Sequence, residues 1–250
     1  MIRTERRGRI FEITIDRPEA MNALTPEMMQ QLQEALILYR DDPDLRVAIM
    51  TGSGDRAFSS GADLGRMREG SDDPAPPLDL FGGLGLTKPL VGAINGHCLA
   101  GGLGVALLCD VRIAAEQATF GCMGTARGIL PGAGQTIRLP QVVGLGNALW
   151  LLLSAERIPA AEALRIGLVN RVVPSGEALP AAREWAETLA SRAPLALKAT
   201  KESALAGLRL PLADALANED RLAEALTRTA DAAEGLRAFA DRRPANFQGR

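Results

Sequence analysis

The 250-residue sequence has only three cysteines, one histidine, no apolar run of membrane-spanning length and a net charge of −2. Each shortage excludes something. Cys98, Cys109 and Cys122 lie among apolar or small residues, cannot all pair within one chain and lack metal-ligand spacing. A disulfide scaffold and a metal site are therefore not expected, and the thiols suit a reducing, cytoplasmic compartment. No segment reaches the roughly 18 consecutive apolar residues of a membrane helix. The stretch Met1 to Arg9 carries four arginines without an apolar run of signal-peptide length behind it, so neither targeting nor a membrane partner is expected. With 28 basic against 30 acidic residues, the chain has no overall field for gathering nucleic acid. The lone His97 follows a strand end, where a structural hydrogen bond is the expected role.

What is present reads as a soluble α/β chain. With 47% hydrophobic residues it can bury one large core without staples. Arg9 to Asp16 alternates apolar and polar residues and predicts a first strand. Thr25 followed by Pro26 predicts a helix start, and Met28, Leu32, Ala35, Leu36 and Tyr39 fall on one face of that helix. Strands are expected at Leu45 to Thr51, Pro89 to Asn95 and Val111 to Ala115, and strand-helix-strand alternation points to parallel pairing. The segment Gly65 to Gly85, rich in glycine, proline and aspartate, reads as a mobile covering loop or a tolerated surface loop. From Asn147 the pattern is mostly helical, with a short strand at Leu168 to Val173 and a helical run from Leu195 to Ala240 broken near Pro211. The expected division is an α/β core over 1–192 and a helical C-terminal region over 193–250.

Two turns of small residues carry the chemistry. Ala57-Phe58-Ser59-Ser60-Gly61-Ala62-Asp63-Leu64 follows one strand, and Ile94-Asn95-Gly96-His97-Cys98-Leu99-Ala100-Gly101-Gly102 leads from another into a buried helix. Glycines at such corners serve close packing of a helix on a sheet; they also let the backbone approach a ligand with unpaired N–H groups. These motifs occur in order with Arg17 to Leu24 (R-P-E-A-M-N-A-L), Phe120-Gly121, Leu130 to Gly134 (L-P-G-A-G) and the closing Ala238 to Phe247. In that order they resemble the enoyl-CoA hydratase/isomerase (crotonase) superfamily over essentially the whole chain.

The resemblance implies a spiral of strand-strand-helix turns with a helical C-terminal oligomerisation region, assembled as a trimer or a dimer of trimers. It implies an acyl-CoA thioester as ligand, coenzyme A being part of the substrate and no cofactor being tightly bound. Position by position, the two oxyanion-hole donors fall on the N–H groups of Ala62 and Gly101. Contacts to the substrate fall on Ala23, Ser60, Gly61, Asp63, Leu64 and Gly124 as well. The nucleotide end falls on Phe239 and Arg242, with Arg237 and Arg243 enlarging the basic cluster. Gly65 and Arg66 stand where relatives have a lysine.

The departures are sharper than the matches. The two glutamates that hydrating relatives use as general acid and base correspond to Gly104 and Gly124, and the nucleophilic aspartate of dehalogenating relatives corresponds to Gly132. Three readings stay open. The enolate forms by loss of carbon dioxide from a malonyl-type thioester; or an external anion such as bicarbonate serves as base, with Arg127 beside it; or a relocated carboxylate such as Asp72, Asp73 or Asp79 supports conventional hydratase or isomerase chemistry. A non-catalytic acyl-CoA binder is the alternative to all three. Arg127 suits a carboxylate or phosphate and equally a surface ion pair, Gln135 and Thr125 suit polar lining or helix caps, and Asp63 and Asp110 are expected to position turns. Glutamate restored at both Gly104 and Gly124 is expected to raise hydration if the pocket keeps its geometry.

Overall fold

The structure is a computed structural model, and it describes residues 1–63, 78–82 and 84–250. Strands β1 (Ile2–Arg7), β2 (Ile10–Ile15), β3 (Val47–Gly52), β5 (Leu90–Ile94), β7 (Val111–Ala115) and β10 (Arg171–Val173) form one sheet in the order β1-β2-β3-β5-β7-β10. Short strands β4 (Ala57–Ser59), β6 (His97–Leu99), β8 (Thr119–Gly121) and β9 (Ile158–Pro159) form a second sheet in that order. All pairings are parallel except β1 with β2 and β8 with β9. Each turn of the chain thus lays a long strand in the first sheet and a short one in the second. After β5 and β6 the turn closes with α3 (Gly101–Ala106), and after β7 and β8 with α4 (Gln135–Val143). This is the expected strand-strand-helix spiral.

The periodicities explain the layers. Helix α1 (Pro26–Asp41) starts where Thr25 Oγ1 accepts a hydrogen bond from Met28 N at 3.2 Å, and its five predicted face residues are all buried together with Met29. The strands are apolar on both faces, as parallel strands covered on both sides must be. Ala48, Met50, Leu90 and Ile94 join the main core. Their neighbours Val47, Ile49, Val91 and Ala93 pack with Ala178, Ala182 and Ala186 of the helix over Ala178–Ala190. A buried carboxylate locks that helix down: Arg183 donates to both oxygens of Glu12 at 2.7 and 2.8 Å.

Several expectations need correction. Strand β1 was not anticipated, because its residues after Ile2 are exposed and carry no apolar alternation; it exists by antiparallel pairing with β2. Helix α4 begins at Gln135, ahead of the expected Asn147, and tolerates Pro140 inside it. The segment expected as loop contains a short helix α2 (Leu78–Gly82) in which Leu80 is fully buried, with Phe81 O and Leu84 O held by Arg138 and Arg40. Residues 64–77, including Leu64, Gly65, Arg66, Asp72 and Asp73, lie outside the described residues, as does the side chain of Asp79. Beyond the core, the chain forms helices over Leu145–Ser154 (α5), Ala160–Arg165 (α6), Ala178–Ala190 (α7), Pro194–Gly207 (α8), Leu212–Thr227 (α9) and Ala230–Ala240 (α10). No helix among the described residues is long and apolar enough to cross a membrane.

All three cysteines are free and buried. Burial pushes each thiol above its ordinary value of 9.0, Cys109 and Cys122 up to about 12. Above pH 9 the unfolded chain therefore loses thiol protons that the native state keeps, so stability present below pH 9 falls as pH rises toward 12. Lys88 works in the opposite sense, since burial lowers its amine from 10.5 to about 8 and the unfolded state holds the extra proton between those values. The unfolded thiols are half ionised at pH 9, so each contributes about 1 kcal/mol of loss between pH 9 and 10; Tyr39, raised by burial, adds a little and Lys88 returns about 1, for an expected net loss of about 2 kcal/mol. Urea unfolding at pH 8, 9 and 10 measures it. A flat profile would mean the thiols are not buried as described.

Candidate active site

The two small-residue turns come together because β4 and β6 are parallel neighbours and the chain leaves both at the same end. Gly61, at φ 99°, lies directly against the second turn: a Cβ on it would sit 2.8 Å from Gly101 N and 2.9 Å from Ala100 Cβ. In the other direction, a Cβ on Gly101 would sit 3.4 Å from Ala62 N. The two amide nitrogens are consequently within about 6 Å of each other, the span that one oxygen about 2.9 Å from each can bridge.

Both amides are left open by the local hydrogen bonding. Leu24 bridges Ala62 in parallel fashion, with Leu24 N donating to Gly61 O at 2.8 Å and Asp63 N donating to Leu24 O at 3.0 Å. That pattern uses the amides on either side and turns the Ala62 N–H away from Leu24. Gly61 N is taken by Ser59 Oγ at 3.2 Å. Ala100 holds the unusual φ of 48°, its N–H donating to Gly121 O at 2.9 Å, and the next amide, Gly101 N, opens α3 without an intrahelical acceptor. Neither Ala62 N nor Gly101 N donates a hydrogen bond among the described residues. A non-glycine residue in the left-handed region costs on the order of 1–3 kcal/mol, which the parallel pairing of β6 with β8 sustains.

Residues that sequence reasoning passed over hold the turns in place. Buried Asn22, itself left-handed at φ 54°, donates to Ser53 O and Ala57 O at 3.0 and 2.6 Å, accepts from Arg17 N, and presents its carbonyl to Ser59 Oγ at 2.8 Å. Arg17 then reaches Asp63 at 2.6 Å. The legible signal was an asparagine inside a short polar motif, a residue that tolerates this backbone region. Ala23 and Ser60, expected at the substrate, lie half-buried beside these contacts. His97 Nδ1 meets Thr119 Oγ1 at 2.7 Å, and Asp110 accepts from Leu90 N and Lys201 Nζ, so both have structural partners as expected.

The positions assigned to glutamates are closed as well as empty. A Cβ on Gly104 would lie 2.5 Å from Ala133 O and 2.6 Å from Ala133 Cβ. One on Gly124 would lie 2.6 Å from Pro131 N and 2.8 Å from Ile129 O. The segment 129–133 occupies both spaces, with Ala133 left-handed at φ 54°. The condition attached to restored glutamates, a pocket that keeps its geometry, is therefore not met, because no side chain fits at either position without moving backbone. Gly132 is different: a Cβ there meets nothing closer than 4.0 Å.

The remaining candidates separate. Arg127 sits exposed on the turn that follows Gly124 and makes no side-chain hydrogen bond or ion pair among the described residues. Thr125 Oγ1 ties to Leu152 O, away from a lining role. Gln135 is buried, donates to Gly132 O at 2.8 Å and leaves its Oε1 unpartnered. Phe239 is 86% exposed near the end of α10, and Arg242 follows it, exposed and left-handed. The expected enlargement of that basic cluster is not what forms: Arg237 and Arg243 pair with Glu234, whose carboxyl Arg243 holds down at about 2.

The profile of the enoyl-CoA hydratase/isomerase family matches residues 5–250. The chain belongs to the enoyl-CoA hydratase/isomerase family. Among similar relatives, the crotonyl-CoA hydratase of Syntrophomonas wolfei is 39% identical, covering 97% of this chain and 96% of the relative. The (E)-benzylidenesuccinyl-CoA hydratase of Thauera aromatica is 38% identical over 95% and 94%. The crystal structure of enoyl-CoA hydratase from Mycobacterium tuberculosis superposes with a TM-score of 0.94 at 34% identity, covering 100% of this chain and 99% of that one. The family acts on acyl-CoA, and the crotonase fold read from the turn order is the fold observed.

Proposed function

We propose that the protein binds an acyl-CoA thioester with its carbonyl oxygen between the N–H groups of Ala62 and Gly101, and that it promotes reactions whose enolate arises without a side-chain base. The observation that carries this reading is the combination of two open, converging amides with two glutamate positions that are glycine and closed by backbone. Amides aimed at the oxygen stabilise the charge that develops in the transition state more than the ground-state carbonyl. Decarboxylation of a malonyl-type thioester is the simplest such reaction. The bond from the α-carbon to the carboxylate breaks, carbon dioxide leaves, the electron pair delocalises onto the thioester oxygen, and the α-carbon then takes a proton from water. An external anion held near Arg127 is a variant of the same chemistry. In this reading Phe239 and Arg242, both exposed, serve the nucleotide end of coenzyme A bound by a neighbouring subunit of a trimer or hexamer, so sedimentation of the intact protein belongs to the test. A monomer with undiminished coenzyme A affinity excludes that part.

Hydration is the second reading, favoured by the names of the relatives above. The two separate in one assay. General acid–base groups contribute ~10²–10⁴-fold each, so crotonyl-CoA hydration, followed by loss of enoyl absorbance, is expected to be slower by at least that factor than in hydratases with both groups. Carbon dioxide release from malonyl-type thioesters, or turnover on adding bicarbonate, is expected in its place. A crotonyl-CoA rate comparable to those hydratases overturns the base-free reading, and return of every thioester unchanged leaves an acyl-CoA binder.

A further inference from the structure

A cleft of about 470 Å³ opens at the other edge of the first sheet, and its charge is one-sided. Its walls come from the β1–β2 hairpin, the segments leading into β3 and β5, the start of α8 and the C-terminal tail. They bring together Arg6, Arg9, Arg46, Lys88 and Lys198 against one acid, Asp44. The amide pair lies beyond the opposite ends of the same strands. β3 alone is six residues long, which at about 3.3 Å per residue puts the two places on the order of 20 Å apart.

Arg6 is neutralised, pairing with Asp42 at 3.0 Å and Asp44 at 3.4 Å. The other four cations have no carboxylate partner among the described residues. Arg46 is 7% exposed and donates only to the carbonyls of Ala190 and Phe247, at 2.9 and 2.6 Å. Lys88 is 3% exposed and donates to the carbonyls of Tyr39 and Asp42, with its ammonium 5.2 Å from the Tyr39 ring centre. Arg9 makes one long contact to Phe247 O at 3.4 Å. Lys198, on α8, makes no side-chain bond among the described residues.

Carbonyls satisfy N–H donors but do not cancel charge, and buried cations without a directly paired carboxylate are costly. The groups also repel one another. Burial and then Lys198 lower the Lys88 amine, and burial and then Arg9 lower the Arg46 guanidinium, while Asp42 and Asp41 near Lys88 and Asp231 near Arg46 act in the opposite sense and offset this only in part. An arrangement that concentrates like charge around a cavity of ligand size favours a counter-anion from outside. A single carboxylate would leave most of the charge unmatched, whereas a diphosphate group brings about three negative charges and acceptor oxygens suited to guanidinium forks and ammonium groups.

We infer that this cleft is a second binding site, for a phosphate-bearing small anion of the diphosphate class, separate from the amide pair. It does not depend on the reaction proposed above. The test is calorimetric titration of the intact protein with inorganic pyrophosphate, alone and with saturating free coenzyme A. One pyrophosphate per chain is expected, with affinity unchanged by coenzyme A. Lys198→Glu and Arg9→Glu, whose side chains bond to no other side chain, are expected to weaken binding at least about tenfold each while leaving the melting temperature near that of the parent. Arg171→Glu, exposed on β10 at the opposite edge of the sheet from β1, is expected to change nothing. Absence of binding at millimolar pyrophosphate, indifference to both reversals, or displacement by coenzyme A would overturn the assignment.

Discussion

Glutamate placed at Gly104 is expected to lower the unfolding free energy by at least about 3 kcal/mol and to leave crotonyl-CoA hydration as slow as before. A Cβ at this position already falls 2.5 Å from Ala133 O, well inside any real carbon–oxygen contact, and Gly104 is buried in the middle of α3. Overpacking of a core position costs typically 1–3 kcal/mol when side chains can yield. Here the obstacle is backbone. The segment 129–133 must leave α3, and with it goes the close fit of Pro131 and Ile129 around Gly124. Glutamate at both positions compounds the disruption. Gly132→Ala, which adds the same methyl group on the same segment where nothing lies nearer than 4.0 Å, is the control and is expected to be tolerated. Chemical denaturation of the three variants decides the matter. A double glutamate variant that is as stable as the parent and hydrates crotonyl-CoA would show that this segment moves aside freely and that the site is a latent hydratase.

Gly61→Ala is expected to abolish polarisation of a bound thioester and to reduce turnover on any accepted acyl-CoA by roughly 10²–10³-fold, the usual loss when one oxyanion donor is removed. The new methyl would lie 2.8 Å from Gly101 N and 2.9 Å from Ala100 Cβ, so it wedges the two turns apart at the amides themselves. Gly61 also sits at φ 99°, a region alanine rarely adopts, so part of the effect is strain. Gly8→Ala isolates that part: its φ is 59° and nothing lies within 4 Å of the added atom. The readout independent of any base is the red shift of a conjugated enoyl-CoA on binding, which reports how strongly its carbonyl is polarised. The expected result is a shift in the parent and in Gly8→Ala and none in Gly61→Ala. An unchanged shift in Gly61→Ala would remove Ala62 and Gly101 as the donors.

Much of the scaffold was legible from local patterns. The apolar face of α1, its threonine cap and the doubly buried strands β3, β5 and β7 are each determined by residues within one element, and periods of 3.6 and 2 report them faithfully. The strand β1 was illegible because it earns its place through backbone pairing with β2, and its outward side chains carry no pattern. Helix α4 was hidden by Pro140 and by the glycines before it. The role of Asn22 could not be read either, since its acceptors, Ser53 O and Ala57 O, lie 31 and 35 positions away.

The order of the small-residue turns, and with it the family, was legible in the sequence alone, because glycine and alanine at a chain reversal act through the local backbone; the two amides were assigned by the resemblance that this order carries. The absence of both glutamates could be read there too. Only the tertiary structure decided that their places are filled, since Gly104 meets Ala133 and Gly124 meets Pro131 through packing of the second sheet's turns against the loop before α4. It alone gathered Arg9, Arg46, Lys88 and Lys198 around one cleft, cations spread over most of the chain whose shared field arises from proximity in space.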